Sequence, residues 1–326
     1  MVTKLVGSFG RVHNYLRVSV TDRCNLRCVY CMGAEGVDWL EPEKILRYEE
    51  IIEVVEAAVG LGVEQVRITG GEPLVRKDLH LLINELSRIS GLKDLALTTN
   101  GLLLPRQAQA LREAGLKRVN ISLDSLRPET YAQLTRGGDL RAALAGVEAA
   151  LQAGFSPVKI NVVLMKGVND REIPDFLKLA TERPLHIRFI EYMSVGGESR
   201  TRQSHFTPAD SALAMVTDAG FRPVWKTMGV GLAKTYTIPG GAGTIGFITA
   251  VSRKFCRDCN RLRLTADGFL KPCLYWPDEL AVKPCLGDPG KLRALFLRAM
   301  KVKKKEHRMG KGTPRPENRC MSRTGG

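Results

Sequence analysis

The chain is short of histidine, aromatic residues and long apolar runs. Its five histidines contain no i, i+4 pair, which argues against a histidine-built metal site. Aromatics make up only 6% and form no stacking platform of the kind single-stranded nucleic acid needs. No stretch of 18 apolar residues occurs, so no segment is expected to span a bilayer as a helix. The opening residues, M-V-T-K-L-V-G-S-F-G-R, lack the apolar core and cleavage site of a signal peptide, and a cytoplasmic location is expected. In a reducing compartment the eight cysteines are read as metal ligands or free thiols, not disulfides. Repeats and low-complexity tracts are also missing outside the lysine-rich C-terminal tail.

What remains is a chain of 326 residues, 44% apolar and 25% charged, long enough for one large domain and a smaller one. The net charge is +15, but residues 291–326 hold 12 Lys or Arg against 2 Glu and so contribute +10 of it. The body is only mildly basic. A basic end can follow a phosphate backbone, sit in solvent or serve an anionic small ligand. Without stacking residues, nucleic acid is not the expected partner.

Strand and helix patterns alternate from residue 15 to residue 191. Strands are expected at 15–20, 63–69, 94–99, 117–123, 158–164 and 185–191. Helices are expected at 48–59, 79–89, 106–114, 140–153 and 173–181. That rhythm argues for a parallel sheet with right-handed crossovers, either an open doubly wound sheet or a partial barrel. Parity helps to choose. Leu16, Val18 and Val20 alternate with Arg17, Ser19 and Thr21; Val119, Ile121 and Leu123 alternate with Arg118, Asn120, Ser122 and Asp124. Val158, Ile160 and Val162 alternate with Lys159 and Asn161. Strands covered on both faces are almost continuously apolar, so one face here is wet or filled by a polar ligand. A curved sheet, open on one side, fits best.

After residue 192 the rhythm stops. Glycine-rich stretches at 196–197, 229–231 and 240–246 separate short apolar runs such as 244–249. The expected division is a barrel over 1–192, a smaller irregular domain over 193–300, and an extended basic tail over 301–326 ending in Gly325 and Gly326.

Two cysteine sets carry the chemistry. Cys24, Cys28 and Cys31 form C-x3-C-x2-C just after the first strand. Three clustered thiolates suit a metal that keeps a coordination position open, whereas structural zinc takes four protein ligands. Alone, the loop could still be part of a zinc site. Cys256, Cys259 and Cys273 form C-x2-C-x13-C, with Cys285 twelve residues further on, which also allows a four-cysteine zinc site. Arg261 and Arg263, on one strand face beside that set, suit a bound polyphosphate.

The first loop, with Tyr30 before its last cysteine, resembles the signature of the radical S-adenosylmethionine (SAM) superfamily, and Gly70-Gly71-Glu72-Pro73 resembles that superfamily's GGEP-type motif. Glycines there would let backbone approach a ligand, beside an anion-friendly helix start. Together with the second cysteine set, R-L-R and the terminal Gly-Gly, the chain is similar over nearly its whole length to the GTP 3′,8-cyclase family of molybdenum-cofactor biosynthesis. The resemblance implies a partial (βα)6 TIM-like barrel whose open side is covered by a smaller C-terminal iron–sulfur domain. It implies a lyase with two [4Fe–4S] clusters, one on Cys24, Cys28 and Cys31, the other on Cys256, Cys259 and Cys273. It implies SAM contacts at Tyr30, Gly71, Ser122 and Met193, and GTP contacts at Arg17, Arg67, Thr98, Lys159, Arg188, Arg261 and Arg263. Of these, Arg17, Ser122 and Lys159 fall on the polar parity read above, and Arg67, which alternates with Val66 and Ile68, and Thr98 fall on that of their own strands.

The implied reaction abstracts the ribose 3′-hydrogen of GTP with a deoxyadenosyl radical and closes the sugar onto C8 of guanine. The implied partners are a flavodoxin- or ferredoxin-type reductant, cyclic pyranopterin monophosphate synthase as the next enzyme, and a second copy of the chain. The terminal Gly325-Gly326 would reach the active site. Gln65 departs from the pattern that the resemblance implies, in which many relatives carry a lysine there, so one phosphate contact is expected to be weaker; Cys285 and Cys320 match no ligand position. The competing readings are a radical SAM peptide-maturing enzyme, which would carry more C-terminal cysteines, and a zinc-stabilised nucleic-acid-binding protein, which leaves Gly70–Pro73 unexplained.

Overall fold

Alternating residues make strands, and apolar residues at helical spacing give each following segment one face to bury. The computed structural model describes residues 4–193, 205–226, 233–309 and 319–325. The glycines at 196–197 and 229–231, and Gly326, lie outside the described residues. The first part of the chain runs β1 (Tyr15–Ser19), α1 (Tyr48–Gly60), β2 (Gln65–Thr69), α2 (Leu79–Ser87), β3 (Asp94–Thr99), α3 (Leu104–Glu113) and β4 (Arg118–Ser122). It continues with α4 (Pro128–Thr135), α5 (Leu140–Gln152), β5 (Val158–Leu164), α6 (Ile173–Glu182) and β6 (Leu185–Glu191). The remainder holds α7 (Ala209–Asp218), β7 (Val224–Lys226), β8 (Lys234–Thr237), β9 (Thr244–Ile248), β10 (Arg261–Leu264), β11 (Phe269–Lys271), β12 (Leu280–Ala281), α8 (Pro289–Val302) and α9 (Met321–Thr324).

Strands β1 to β6 are parallel neighbours in chain order, as the βα rhythm required. Helix α4 is an addition. It starts at a proline, which the first turn of a helix tolerates, and has only a narrow apolar face in Tyr131 and Leu134. Its function in the fold is local, as shown below.

The sheet does not stop at β1 and β6. Strand β10 joins β1 in parallel, with Arg17 opposite Arg263, and β9 joins β6 in parallel, with Arg188 opposite Gly246. Antiparallel strands β11 and β12 extend one end, β8 and β7 the other, giving a 12-stranded sheet among the described residues. Arg17 and Arg261 at one end line the same cavity as Arg188 and Ile248 at the other, so the sheet is curled but not closed.

The apolar parity faces the helices. Leu16, Val18, Val66, Ile68, Val119, Ile121, Val158 and Ile160 are fully buried in one core with Ile51, Val54 and Ala58 of α1 and Leu82, Ile83 and Leu86 of α2. Each such side chain contributes about 1.5–3 kcal/mol by leaving water. The polar parity is enclosed too: Ser19 and Asn120 are 0% exposed, Arg263 4% and Arg17 9%. Among the described residues no helix is long and apolar enough to cross a membrane.

Candidate active site

The loop after β1 carries the first thiol trio and is fixed from two sides. On one side, the amides of Arg27 and Val29 donate to the carbonyls of Thr135 and Leu134 at 3.1 and 2.9 Å. These are end-of-helix carbonyls of α4 that have no partner within the helix. Arg136, which follows α4 with φ +56°, sends its guanidinium to the carbonyls of Arg27 and Met32 at 3.1 and 2.8 Å. On the other side, the amide of Gly71 donates to the Thr21 carbonyl and that of Glu72 to the Arg23 carbonyl, both at 2.8 Å. A Cβ on Gly70 would lie 2.7 Å from the Thr21 carbonyl oxygen, and one on Gly71 2.3 Å from that of Arg23. The glycines therefore admit the cysteine loop's own backbone. The anion-binding helix start expected after Pro73 is instead a single 3-10 turn, whose Leu74 amide is taken by the Glu72 carboxylate at 3.0 Å.

Glu72 also accepts from the Thr99 hydroxyl at 2.6 Å and the Asn100 amide at 2.7 Å, while burial pushes its carboxyl up to about 7. Asp124 accepts from the Tyr30 hydroxyl at 2.5 Å and the Val163 amide at 2.8 Å, and burial raises it to about 6. Burial and the Glu72 charge hold the Cys24 thiol up near 11.

Cys24, Cys28 and Cys31 line a cavity of about 290 Å³, and Cys256, Cys259 and Cys273 line the same one. Between the trios stand the cations of the inward strand face. Arg188 is held by the Asn120 and Asn161 side-chain oxygens at 2.7 and 2.6 Å, while its Nε is buried without a partner. Arg67 lies 5.4 Å over the Tyr15 ring, and its Nε, the Arg261 Nε and the Thr98 hydroxyl are likewise buried and unsatisfied. Burial and mutual repulsion weaken these bases: Arg188 falls to about 9, Arg263 to about 10, and Lys159 to about 7. Buried donors without acceptors and like charges without counter-ions are costly. A bound polyanion relieves the repulsion among the cations.

Tyr30, Gly71, Ser122, Met193, Arg17, Arg67, Thr98, Arg188, Arg261 and Arg263 all line this cavity. Lys159 is not among the lining residues, but Arg188, Arg118, Arg67 and Asp94 all act on it electrostatically. Gly325 does not line the cavity itself: its carbonyl accepts from Arg263, which does, and it packs against Ser19 and Thr69. Gln65 sits one register step below Arg67, between Tyr15 and Asp94. Cys285 does not line the cavity; it lies in a 3-10 turn and packs on the main core. Cys320 lies near Cys31 and is 3.0 Å from the Ser322 hydroxyl. Sequence reading did not single out Asp124, Asn161, Asn100, Tyr275 or His307, which also line the site. For Asp124 and Asn161 the signal was there, since both lie on the polar parity.

Among the described residues, no three cysteine, histidine or carboxylate side chains gather as the ligands of one metal ion would. Mononuclear zinc needs its thiolates converging on one centre at about 2.3 Å. Cluster ligands bind separate irons. The three thiols of the Cys24–Cys31 loop, facing a cavity, suit an iron–sulfur cluster that leaves one iron open.

Comparison with known proteins agrees with this geometry. Residues 18–180 match the model of the Radical SAM superfamily, and residues 185–309 match that of Molybdenum Cofactor Synthesis C. A GTP 3′,8-cyclase of Listeria monocytogenes is 45% identical over 99% of both chains. That of Petrotoga mobilis is 47% identical over 99% of this chain and 100% of its own, and that of Pelotomaculum thermopropionicum 48% over 98% and 99%. Among solved structures, Streptococcus suis SuiB bound to S-adenosylmethionine superposes with a TM-score of 0.59 at 13% identity, covering 83% of this chain and 64% of SuiB. The protein anSMEcpe with bound AdoMet gives 0.59 at 15% identity, covering 89% and 78%. These two likenesses concern the fold. The full-length relatives go further: the chain belongs to the GTP 3′,8-cyclase family of the radical SAM superfamily.

Proposed function

We propose that this protein is a lyase that cyclises GTP to (8S)-3′,8-cyclo-7,8-dihydroguanosine 5′-triphosphate with SAM, the first step of molybdenum-cofactor biosynthesis. The observation that carries this reading is a set of buried cations that repel one another, between two cysteine trios on one cavity. Cys24, Cys28 and Cys31 would hold the cluster that SAM chelates, and Cys256, Cys259 and Cys273 a second one facing the guanine. When bound, the first cluster and SAM supply one-electron cleavage of the sulfonium bond and a 5′-deoxyadenosyl radical.

The chain's own groups bind, orient and exclude water. Tyr30, Gly71, Ser122 and Met193 would flank SAM. Arg17, Arg67, Thr98, Lys159, Arg188, Arg261 and Arg263 would hold the nucleotide, mainly through its triphosphate of about −4 charge. Fixed donors already in place need no reorganisation as charge develops. Leu274, Met309 and Met321 give the cavity an apolar wall that limits water. The same reading assigns a flavodoxin or ferredoxin as reductant, cyclic pyranopterin monophosphate synthase as acceptor of the product, a homodimer, and a cytoplasmic setting.

The test is anaerobic reconstitution, iron counting, and incubation with SAM, a reductant and GTP. About eight irons per chain and 5′-deoxyadenosine formed only with GTP are expected. Deoxyadenosine formation that ignores GTP would remove the substrate assignment. About four irons with stoichiometric zinc would remove the second cluster.

A further inference from the structure

The two thiol trios share a cavity but stand in opposite electrostatic surroundings. Carboxyl groups act on two thiols of the first, Glu72 on Cys24 and Asp124 on Cys28. The second is gripped by cations. Lys303 follows α8 and is only 4% exposed, although Lys301, Lys304 and Lys305 of the same run are exposed. Its ammonium donates to the carbonyls of Arg261 and Pro272, both at 2.6 Å, and lies 3.9 Å from the Cys259 sulfur. Arg261 is two residues past Cys259, and Pro272 immediately precedes Cys273. One buried ammonium therefore ties together the two segments that present these cysteines. Arg11 does the same for the third, donating to the Cys256 carbonyl at 2.6 Å.

An ammonium is costly to bury unless a negative group lies beside it. Two carbonyls take two of its three N–H donors and leave its charge unmatched. A cluster on three thiolates supplies that charge. Net charge nearby and hydrogen bonds to sulfur set the potential of such a cluster, and a cation favours the reduced, more negative state.

We infer that Lys303 is a positioning residue for the second cysteine trio, and that its ammonium, with Arg11, makes the cluster held there easier to reduce than the one held by Cys24, Cys28 and Cys31. This rests on the proposed second cluster. Electrons entering the protein therefore settle first at the nucleotide end of the cavity.

The experiment uses the full chain, reconstituted anaerobically without SAM or GTP, as wild type, Lys303→Met and Lys303→Arg. Iron is counted, and each cluster's midpoint is read by EPR-monitored redox titration. The signal missing from a Cys256→Ala variant is assigned to the second cluster. In the wild type the second midpoint lies above the first. In Lys303→Met the reduced-to-oxidised ratio of the second cluster at a fixed potential falls about tenfold, about 59 mV for one electron. The first midpoint stays in place, and Lys303→Arg restores the second.

Selective loss of second-cluster iron in Lys303→Met, with retention in Lys303→Arg, also supports the positioning role. An unchanged second midpoint in Lys303→Met overturns the inference, as do equal shifts of both midpoints. Equal loss of iron from both variants overturns it too, because charge would then not be what matters. A wild type with about four irons overturns the second-cluster reading itself, a result distinct from all of these.

Discussion

Gly71 faces Asp22 so closely that a Cβ on the glycine would stand 2.5 Å from the aspartate's carbonyl oxygen. The contact is backbone against backbone, so no side chain can swing away to make room. Gly71→Ala must therefore push the first cysteine loop outward, at about 1–3 kcal/mol. Reconstituted G71A is expected to lose the irons of the first cluster and retain those of the second. Equal iron in variant and wild type would show that the loop tolerates the shift.

Arg188 bridges Asn120 and Asn161 and lines the cavity. A charge-assisted hydrogen bond contributes about 1.5–3 kcal/mol, so Arg188→Ala should weaken GTP binding about 10- to 100-fold in calorimetry. SAM binding should be nearly unaffected. Arg188→Lys should recover only part of the loss, because an ammonium keeps the charge but not the planar fork. Full GTP affinity in R188A would take this residue out of the nucleotide site.

Lys159 makes GTP binding pH-dependent. Burial, then Arg188, Arg118 and Arg67, bring it down to about 7 in the empty site. A bound triphosphate reverses the repulsion and pulls the proton back. GTP should therefore bind with proton uptake near pH 8, and more weakly as pH rises through 7. Calorimetry in buffers of different ionisation enthalpy measures that uptake, and Lys159→Gln should abolish its part of it. Stability moves the other way. Between about 7 and the ordinary lysine value of 10.5 the unfolded chain binds more protons than the folded one, so this residue's contribution to stability rises with pH.

Glu191 ends β6 and is 2% exposed. Its carboxylate accepts the amides of Ala209, Val251 and Ser252 at 2.9, 2.8 and 2.9 Å, joining α7 and the approach to the second cysteine loop to the sheet. Glu191→Ala strands these three amides and the Ser252 hydroxyl, and should cost about 3 kcal/mol or more in denaturant unfolding. Glu191→Gln, which keeps one good acceptor, should cost less. A difference below about 1 kcal/mol for E191A would mean that water replaces the carboxylate.

Period and spacing made the barrel legible. Val66 and Ile68 against Arg67, or Val119 and Ile121 against Asn120, can only belong to strands with one polar face. The cysteine spacings identified both trios for the same reason: local pattern reports local geometry. What stayed hidden was long-range. Nothing in R-L-R-L announces that β10 lies beside β1, because four residues carry too little pattern to choose a neighbour. Gly70 and Gly71 were legible as close-approach residues, but not that the approaching chain is the cysteine loop. Lys303 was invisible within its lysine run, since burial of one member depends on where Arg261 and Pro272 come to lie. Asp124 and Asn161 shared the inward parity, yet parity alone does not say which polar groups reach the cavity.

The sheet's two added strands also bear on how the protein comes to exist. Arg17 pairs with Arg263 across 246 residues, and β6 receives β9 only after α7 and two further strands have been made. Until the last third of the chain emerges, both β1 and β6 present unpaired edges. Such edges recruit other strands, and contacts this distant in sequence form slowly. A ribosome-bound or truncated chain ending near residue 192 would then be an aggregation hazard. Assembly of the nucleotide site and protection of the sheet are completed in the same late step.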